Sequence, residues 1–322
     1  MRLTDFLERG AAVRGLREAF LAGAPPHAAL LTGPAGVGKR TLSALLANSL
    51  HCAGGEKPCG VCPPCRRFLS GSHPDAHHLK EQKRIGVDAV RGLTASLSAA
   101  AYEGGWRTAR IDCAGAMTSQ AQNSLLKTLE EPPPRTVFLL TAVSASQLLP
   151  TVRSRCSAVP VPPLTNDKVE QALTARGVDP ARAAELSRLS GGSVGLALSL
   201  HEDDGFWALR GRVYGAMEGI RRSSDAVEAL FALKDEKEDA GRVCDLLEHA
   251  LRGALLQKLS GRADGAGEGF SRALLRADAR SLVALLEKVS LMRRMLSSNV
   301  PWQAALERFV LDYAEESIRW QQ

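Results

Sequence analysis

The stretch Ala28–Lys39, which reads AALLTGPAGVGK, decides the fold class of this 322-residue chain. Its first five residues, Ala28–Thr32, predict a buried strand, and the helical pattern of Arg40–Leu50 follows the glycines. A strand, a glycine-rich loop and a helix together give the P-loop geometry. In that geometry the backbone N–H groups and the helix N-terminus face a phosphate. The residues predicted to contact a nucleotide are Gly33, Gly36, Gly38, Lys39, Thr41 and Asp112.

One position departs from the full phosphate-loop pattern, G-x-x-x-x-G-K-[ST]. Lys39 would reach the β- and γ-phosphates, and a hydroxyl directly after it would hold Mg²⁺. Arg40 takes that place, and the hydroxyl comes one residue later, at Thr41. Because one helical residue rotates a side chain by about 100°, Thr41 does not simply substitute. Mg²⁺ binding is therefore not expected, and whether ATP or ADP enters the pocket stays open.

An acidic site normally accompanies a P-loop at the end of a neighbouring strand, where an Asp supports Mg²⁺ and a Glu activates the attacking water. The candidate strand Thr108–Asp112 provides Asp112 for the first task. Cys113 follows it, where the second acid would stand, and a thiol is a poor base for water. We interpret Cys113 as a small buried residue and predict that the hydrolytic base is missing.

Four cysteines near the first helix have the spacing C-x6-C-x2-C-x2-C: Cys52, Cys59, Cys62 and Cys65. The x2 spacing places thiolates around one tetrahedral ion. Four clustered thiols in a reducing compartment favour structural Zn²⁺ over disulfides, and a set of four leaves no open position for catalysis. We expect that the side chains close to this cluster, and the remaining cysteines Cys156 and Cys244, bind no metal. The histidines concerned are His51, His73, His77 and His78.

Further strands and helices alternate along the first half of the chain, which predicts a parallel α/β sheet. The helix predicted over Ser119–Glu131 ends at three prolines, and Ser119 and Gln122 have the spacing of a capping box. The other candidates are a helix over Asp88–Ala101 and a strand over Thr136–Thr141.

Strand signals end at Pro160–Pro163, and helical Ala/Leu/Arg/Glu patterns continue from there, with a glycine-rich loop at Gly261–Gly269. We predict an α/β domain over residues 1–164 with a zinc module at about 52–65. A small helical lid domain over 165–205 and an all-α domain over 206–322 follow it.

Several motifs occur in a fixed order: the glycine loop, the four cysteines, Ser119–Pro133 (SQAQNSLLKTLEEPP) and Ser154–Cys156 (SRC). In this order they resemble the AAA+ subunits of the bacterial DNA polymerase III clamp loader. The resemblance covers most of residues 20–165 and continues more weakly into Ser298–Glu307, which looks like the collar of these subunits. It implies an AAA+ P-loop module, a lid, and a C-terminal collar domain for oligomerisation.

The departures favour the delta prime branch of this family, which often has a damaged ATP site, over the ATP-hydrolysing gamma/tau branch. Arg40 and Cys113 are two of them, and the family's ATP-sensing arginine would fall at Leu196. The gamma motor remains the alternative. An AAA+ protein of replication restart or recombination is a third reading, and the zinc insert and the LLKTLEEPP block argue against it.

In the family, the arginine of the SRC motif projects into the ATP site of a neighbouring subunit, and here it is Arg155. The resemblance implies gamma/tau and delta subunits as partners, with the sliding clamp and primer–template DNA contacted through the complex. It also implies a component of the polymerase holoenzyme that is not an enzyme on its own. The competing interpretation of Arg155 is a plain surface arginine.

The net charge of +6 permits a nucleic-acid partner without demonstrating one. Because basic residues are not interleaved with aromatics, we expect Arg66, Arg67, Arg107 and Arg110 to form a solvated face rather than a DNA contact. Neither a signal peptide nor a run of 18 apolar residues is evident. We therefore expect a cytoplasmic protein without a membrane span.

Overall fold

The structure, a computed structural model, describes Leu3 and residues 10–80, 83–98, 101–260 and 270–320. The chain divides into two compact units, Met1–Leu198 and Ser199–Gln322. The boundary between them falls inside the segment 165–205, for which the sequence predicts a separate lid. The predicted division into three domains stays a prediction.

A five-stranded sheet forms the centre of the first unit. Its strands are β1 (Ala28–Thr32), β2 (Ala76–Leu79), β3 (Arg107–Ile111), β4 (Thr136–Ala142) and β5 (Ser157–Pro160). The spatial order is β2-β3-β4-β1-β5, and every pairing is parallel. The predicted parallel α/β fold is confirmed. The sequence did not predict β2 and β5, since each is a four-residue edge strand that is mostly exposed or half-buried.

The helices that begin in the first unit are α1 (Ala11–Leu21), α2 (Lys39–His51), α3 (Pro63–Ser70), α4 (Val87–Ser98), α5 (Ser119–Glu130), α6 (Pro150–Arg153), α7 (Asn166–Thr174), α8 (Pro180–Leu189) and α9 (Val194–Glu202). Helices α1 and α2 pack on one face of the sheet, and α4 and α5 pack on the other. All seven residues of β4 are buried. In a parallel sheet covered on both faces in this way, the connecting loops lie at the two ends of the strands.

Helix α5 begins one residue earlier than a capping box at Ser119 requires. Thr118 is the N-cap, and its side chain accepts a hydrogen bond from the backbone N–H of Ala121. Gln122 is buried instead: its Nε2 donates to Met117 O at 3.2 Å, and its Oε1 accepts from Leu149 N at 2.7 Å. The predicted capping box is therefore wrong. Gln122 joins the start of α5 to the chain before α6.

The second unit is helical throughout its described part, which confirms the all-α C-terminal prediction. Its helices are α10 (Asp204–Glu218), α11 (Asp225–Leu233), α12 (Ala240–Ser260), α13 (Phe270–Leu274), α14 (Ala279–Ser297) and α15 (Trp302–Arg319). Trp302 anchors α15 by donating from its indole nitrogen to Leu233 O at 3.0 Å. The predicted loop Gly261–Gly269 lies outside the described residues. Among the helices of the described ranges, none has the length and apolar character needed to cross a membrane.

Candidate functional site

The glycine loop lies between β1 and α2, where the sequence predicts a phosphate cradle. Gly36 and Gly38 have φ angles of 72° and 92°, which other residues rarely adopt. Lys39 is buried at the start of α2, and its Nζ donates to Gly33 O and Pro34 O, each at 2.6 Å. Burial lowers the pKa of Lys39, and the charge of the nearby Cys113 opposes that shift. The lysine is thus held by carbonyls of its own loop.

The segment before α9 packs directly on this loop. A Cβ on Gly36 would lie 2.2 Å from Ser193 Oγ, and one on Gly195 would lie 3.2 Å from Gly36 O. Ser193 caps α9 by accepting from the Leu196 N–H at 3.0 Å. Leu196, at the place of the family's ATP-sensing arginine, is 43% exposed. An alkyl side chain cannot donate to a phosphate, so this position makes no polar contact with a nucleotide.

Asp112 follows β3 and is the acidic residue predicted to support Mg²⁺. Its side chain is only 6% exposed, and its Oδ2 accepts a hydrogen bond from His78 Nε2 at 2.8 Å. Because a carboxylate only accepts, this nitrogen of His78 carries the proton. The other carboxylate oxygen, Oδ1, lies 3.9 Å from Arg110 Nη2.

Arg110 extends from β3 toward α2, and its Nε donates to Ser43 Oγ at 3.2 Å. Its side chain is 11% exposed. Burial lowers the pKa of Arg110, and the adjacent Asp112 carboxylate raises it. At 3.9 Å the gross attraction between these charges is about 4 kcal/mol for an effective dielectric of about 20, before desolvation is subtracted.

These contacts decide how well the pocket fits Mg²⁺. Thr41 and Arg40 are both exposed beside the buried Lys39, so no hydroxyl takes the usual place after the lysine. Asp112 faces one imidazole and one guanidinium. Magnesium needs carboxylate ligands and a near-octahedral set of oxygens. The residues present do not fit this ion.

Of the predicted surface arginines, Arg107 is buried and Arg110 is half-buried, which corrects the expected solvated face. Arg107 is 5% exposed and donates to Leu97 O at 2.6 Å and to Pro134 O at 3.0 Å. Arg110 belongs to the pocket described above. Both lie on β3, where the sheet is covered. Of the other two, Arg66 is exposed and Arg67 forms an ion pair with Glu103.

Cys113 adopts a left-handed conformation with a φ angle of 53°. Its backbone N–H donates to Thr141 Oγ1 at 3.1 Å, and its side chain is half-buried. A residue in this conformation turns the chain sharply at the end of β3. Its thiol is not a base for water, so the residue supplies the geometry of the strand end without hydrolytic chemistry.

The four predicted cysteine ligands come together beside α2 and α3. The Sγ atoms of Cys52, Cys59, Cys62 and Cys65 all lie within 4.8 Å of one another. Thiolates bound to one tetrahedral ion at about 2.3 Å would be about 3.8 Å apart, so this cluster can hold a metal such as zinc. The set is all sulfur, as in structural zinc sites of the four-cysteine type, and contributes no open oxygen position.

Backbone N–H groups donate to thiols of this cluster, and burial acts in the opposite direction at Cys65. Cys52 Sγ accepts from the N–H groups of Gly54 and Cys59, each at 3.3 Å. Burial tends to raise the pKa of Cys62, but backbone hydrogen bonds from Cys65 and Ala53 outweigh it and lower the pKa to about 6. Burial raises the pKa of Cys65 to about 12. Cys62 also caps α3, and Pro63 and Pro64 begin that helix.

Arg155 lies just after α6 and before β5. Its guanidinium forms an ion pair with Glu130, the last residue of α5, and donates to Thr151 O at 2.9 Å. The arginine side chain is 34% exposed and that of Glu130 is 49% exposed. The two most distinctive sequence motifs, LLKTLEE and SRC, therefore meet through one exposed ion pair.

Arg155 and the glycine loop lie at opposite edges of the sheet. Ser157, at the start of β5, is level with Ala29 in β1, whereas the loop follows β1 at Gly33. Four residues of strand separate these levels, about 13 Å at 3.3 Å per residue. Arg155 therefore faces away from its own chain's phosphate loop.

Comparisons with known proteins agree on one family. The model described as DNA polymerase III, delta subunit matches residues 9–165. The delta prime subunit of DNA polymerase III from Escherichia coli K12 is 36% identical over 228 residues, which cover 69% of this chain and 68% of that protein. The chain belongs to the DNA polymerase III delta prime subunit family. This confirms the resemblance inferred from the motifs.

Other relatives of the delta prime family match over different shares of their length. The Bacillus subtilis delta prime subunit is 34% identical over 212 residues, or 65% of this chain and 64% of that protein. The E. coli tau subunit is 31% identical over 251 residues, or 73% of this chain and 39% of that protein. The aligned regions thus span about two thirds or less of these relatives.

Within this delta prime family member, sequence reasoning did not identify three residues that the structure brings to the candidate sites. His78 and Arg110 contact Asp112, and Glu130 contacts Arg155. Arg110 did leave a signal, because it places a charge between the apolar Ala109 and Ile111 of the candidate strand. His78 left none, since β2 is a short edge strand with two adjacent histidines.

Proposed function

We propose that this chain is a mostly non-hydrolysing AAA+ subunit of the clamp loader and that Arg155 acts in the ATP site of a neighbouring ATPase subunit. The observation that carries the proposal is the position of Arg155, exposed at the sheet edge opposite its own glycine loop. An arginine in that place reaches a phosphate only on another molecule. The chain's own pocket, with Arg40 and Cys113, lacks a magnesium hydroxyl and a base.

In this mechanism ATP is bound by a gamma/tau-type subunit. As water attacks and the bond from the γ-phosphorus to the leaving ADP breaks, negative charge is spread over the phosphoryl oxygens and the ADP oxygen. The Arg155 guanidinium stabilises that charge, and such arginines contribute on the order of 10³–10⁵ in rate. The ion pair with Glu130 holds the guanidinium between encounters. Release costs little, because exposed pairs contribute about 0–1 kcal/mol.

The proposed partners are gamma/tau and delta subunits, the sliding clamp and primer–template DNA. ATP binding in the motor subunits would close the ring and open the clamp, and primed DNA would trigger hydrolysis and clamp release. The helical second unit would join the collar that holds the subunits together. These roles rest on membership of the delta prime family.

We further propose that Cys52, Cys59, Cys62 and Cys65 hold a structural Zn²⁺. The four sulfur ligands support this assignment, since an all-thiolate set favours zinc and leaves no site for substrate. The ion would fix α3 beside the end of α2 and take no part in ATP chemistry.

The test of the Arg155 proposal is ATP turnover by the reconstituted complex with clamp and primed DNA. Arg155→Ala should remove the share of turnover that comes from the junction beside this chain. Arg153→Ala is the matched control, since Arg153 is an exposed arginine two residues away at the end of α6. Equal turnover for Arg155→Ala and Arg153→Ala, with assembly intact, would refute the finger.

The competing function is an ATP-hydrolysing gamma-type motor, favoured by the intact glycine loop and Lys39. The isolated chain distinguishes the two. Turnover near 1 s⁻¹, in the usual enzyme range, and abolished by Lys39→Ala would establish the motor. Turnover at background supports the non-hydrolysing subunit.

A further inference from the structure

We propose that Asp112 has two built-in partners, the counterion Arg110 and the hydrogen-bond donor His78, which take the place of a metal and exclude Mg²⁺ from the pocket. The inference deepens the proposed function, and rests on it for the premise that the pocket does not hydrolyse ATP. It assigns that loss to two specific residues besides Arg40 and Cys113.

The pairing of β2 with β3 brings these two partners of Asp112 together. His78 in β2 is the direct partner of Arg110 in β3, so both side chains leave the sheet on the same face. Asp112 follows two residues after Arg110, and its backbone N–H is bound to Leu79 O at 3.0 Å. The carboxylate of Asp112 thus lies at the end of β3, within reach of the Arg110 guanidinium and the His78 imidazole.

The two oxygens of Asp112 are divided between the two residues. Oδ2 accepts from His78 at 2.8 Å, and Oδ1 lies 3.9 Å from the Arg110 guanidinium. Within the described ranges Oδ1 has no hydrogen-bond partner, so charge attraction alone satisfies it. A buried carboxylate needs such a compensating charge, and a buried guanidinium needs a carboxylate.

Arg110 is itself fixed in this position. Ser43, one helical turn after Lys39 on α2, accepts from Arg110 Nε at 3.2 Å and donates to Arg40 O at 2.9 Å. A divalent cation at Asp112 would therefore meet a guanidinium that is hydrogen-bonded to Ser43 and that repels it. The pocket is selective against Mg²⁺ through electrostatics as well as through its missing hydroxyl.

Thermal unfolding of the full chain, with no nucleotide and no metal added other than zinc, tests this arrangement. The test is the sign of the Tm change that Asp112→Asn causes. Asp112→Asn should lower the Tm by several degrees, because it leaves the buried Arg110 uncompensated. In the background His78→Ala plus Arg110→Met, the same Asp112→Asn change should raise the Tm, since there it removes an unpaired buried carboxylate. Methionine preserves the packing of the arginine stem.

Arg107→Met is the matched control, because Arg107 is a buried arginine of the same strand whose described bonds are to Leu97 O and Pro134 O. In that background Asp112→Asn should still lower the Tm. If Asp112→Asn raises the Tm of the otherwise unmodified chain, Asp112 has no internal counterion and the proposal is wrong.

Millimolar Mg²⁺ gives the second measurement. The unmodified chain should keep its Tm, while the His78→Ala plus Arg110→Met variant should gain stability that Asp112→Asn abolishes, as expected for a ligand that binds only the native state. A Mg²⁺-dependent rise in the unmodified chain that Asp112→Asn removes would overturn the proposal, as would the absence of a rise in the double variant. Neither reading involves Arg155, ATP turnover or a partner subunit, so failure here is distinguishable from failure of the proposed function.

Discussion

Replacing one cysteine of the cluster, Cys65→Ser, should abolish zinc binding and loosen the segment around α3 while the sheet stays folded. Cys65 is completely buried and is the one buried residue of α3. That helix has eight residues. Helices shorter than about 12–15 residues are marginal without tertiary support, so α3 depends on its packing and, if the proposed zinc is bound, on the metal.

The magnitude follows from what else holds α3. Phe68 packs partly buried against the core, and its ring centroid lies 5.9 Å from that of His51. Complete burial of a phenylalanine contributes about 1.5–3 kcal/mol, so losing this partial contact costs at most about 2 kcal/mol. At about 2–4 °C per kcal/mol for a domain of about 150–250 residues, the main Tm should fall by at most about 4–8 °C.

The assay combines zinc stoichiometry, limited proteolysis and thermal unfolding. The unmodified chain should hold about one zinc, and Cys65→Ser should hold close to none, since a tetrahedral structural site needs all four ligands. New cleavage should fall between residues 52 and 71. Cys113→Ser is the control, because Cys113 is a half-buried thiol outside the cluster, and it should keep its zinc.

Two results would refute this reasoning. Full zinc retention by Cys65→Ser would mean that the cysteines are not one tetrahedral site. Loss of the whole helical circular-dichroism signal would mean that the cluster supports the sheet as well, and not only α3.

Three further outcomes follow from the contacts described above. Glu130→Gln should release Arg155 from its ion pair and so lower the concentration of this chain that gives half-maximal stimulation of the partner ATPase. The decrease should be at most about fivefold, because an exposed pair contributes at most about 1 kcal/mol. An increase in that concentration would instead mean that the ion pair positions the arginine productively. Gly192→Ala should destabilise the first unit by about 1–3 kcal/mol in urea unfolding, because φ is 84° and the new Cβ would lie 2.3 Å from Leu164 O; an unchanged midpoint would contradict this. Burial raises the pKa of Cys244 to about 11, so at pH 8 the thiol stays protonated and iodoacetamide should label it only after unfolding, as mass spectrometry would reveal; rapid labelling of the folded chain would show that it is accessible.

The sequence predicted the central elements of the sheet because they carry strong local signals. The strand Ala28–Thr32 is predicted with its observed bounds, and β4 differs from its prediction by one residue. The edge strands β2 and β5 are short and mostly exposed, so their apolar pattern is too weak to recognise. The start of α5 at Ser119 agrees with its prediction, but the predicted N-cap is wrong by one residue. Thr118 and Ser119 are both good N-cap residues, and only the backbone angles decide between them.

The candidate sites also differ in whether local sequence was enough to predict them. The cysteine cluster was predictable because its four ligands lie within fourteen residues and share one chemistry. The partners of Asp112 were not, since His78 and Arg110 meet it only through pairing of β2 with β3. Glu130 and Arg155 were each inside recognised motifs, but their contact depends on where α5 ends relative to β5. Contacts of this kind come from topology and leave little trace in local sequence.

The placement of Arg155 and the glycine loop at opposite edges of one parallel sheet gives the module a direction. On the proposed role of Arg155, such modules would join head to tail, with the front of one against the back of the next, and each junction would be heterologous. On the proposed roles, this chain offers a complete back surface and a front that cannot turn over ATP. This chain would therefore lie at one end of a series of ATP-hydrolysing junctions and supply Arg155 to the first of them. The junction at its own ATP pocket would not hydrolyse ATP, so this chain would define where the series ends in an otherwise repetitive assembly.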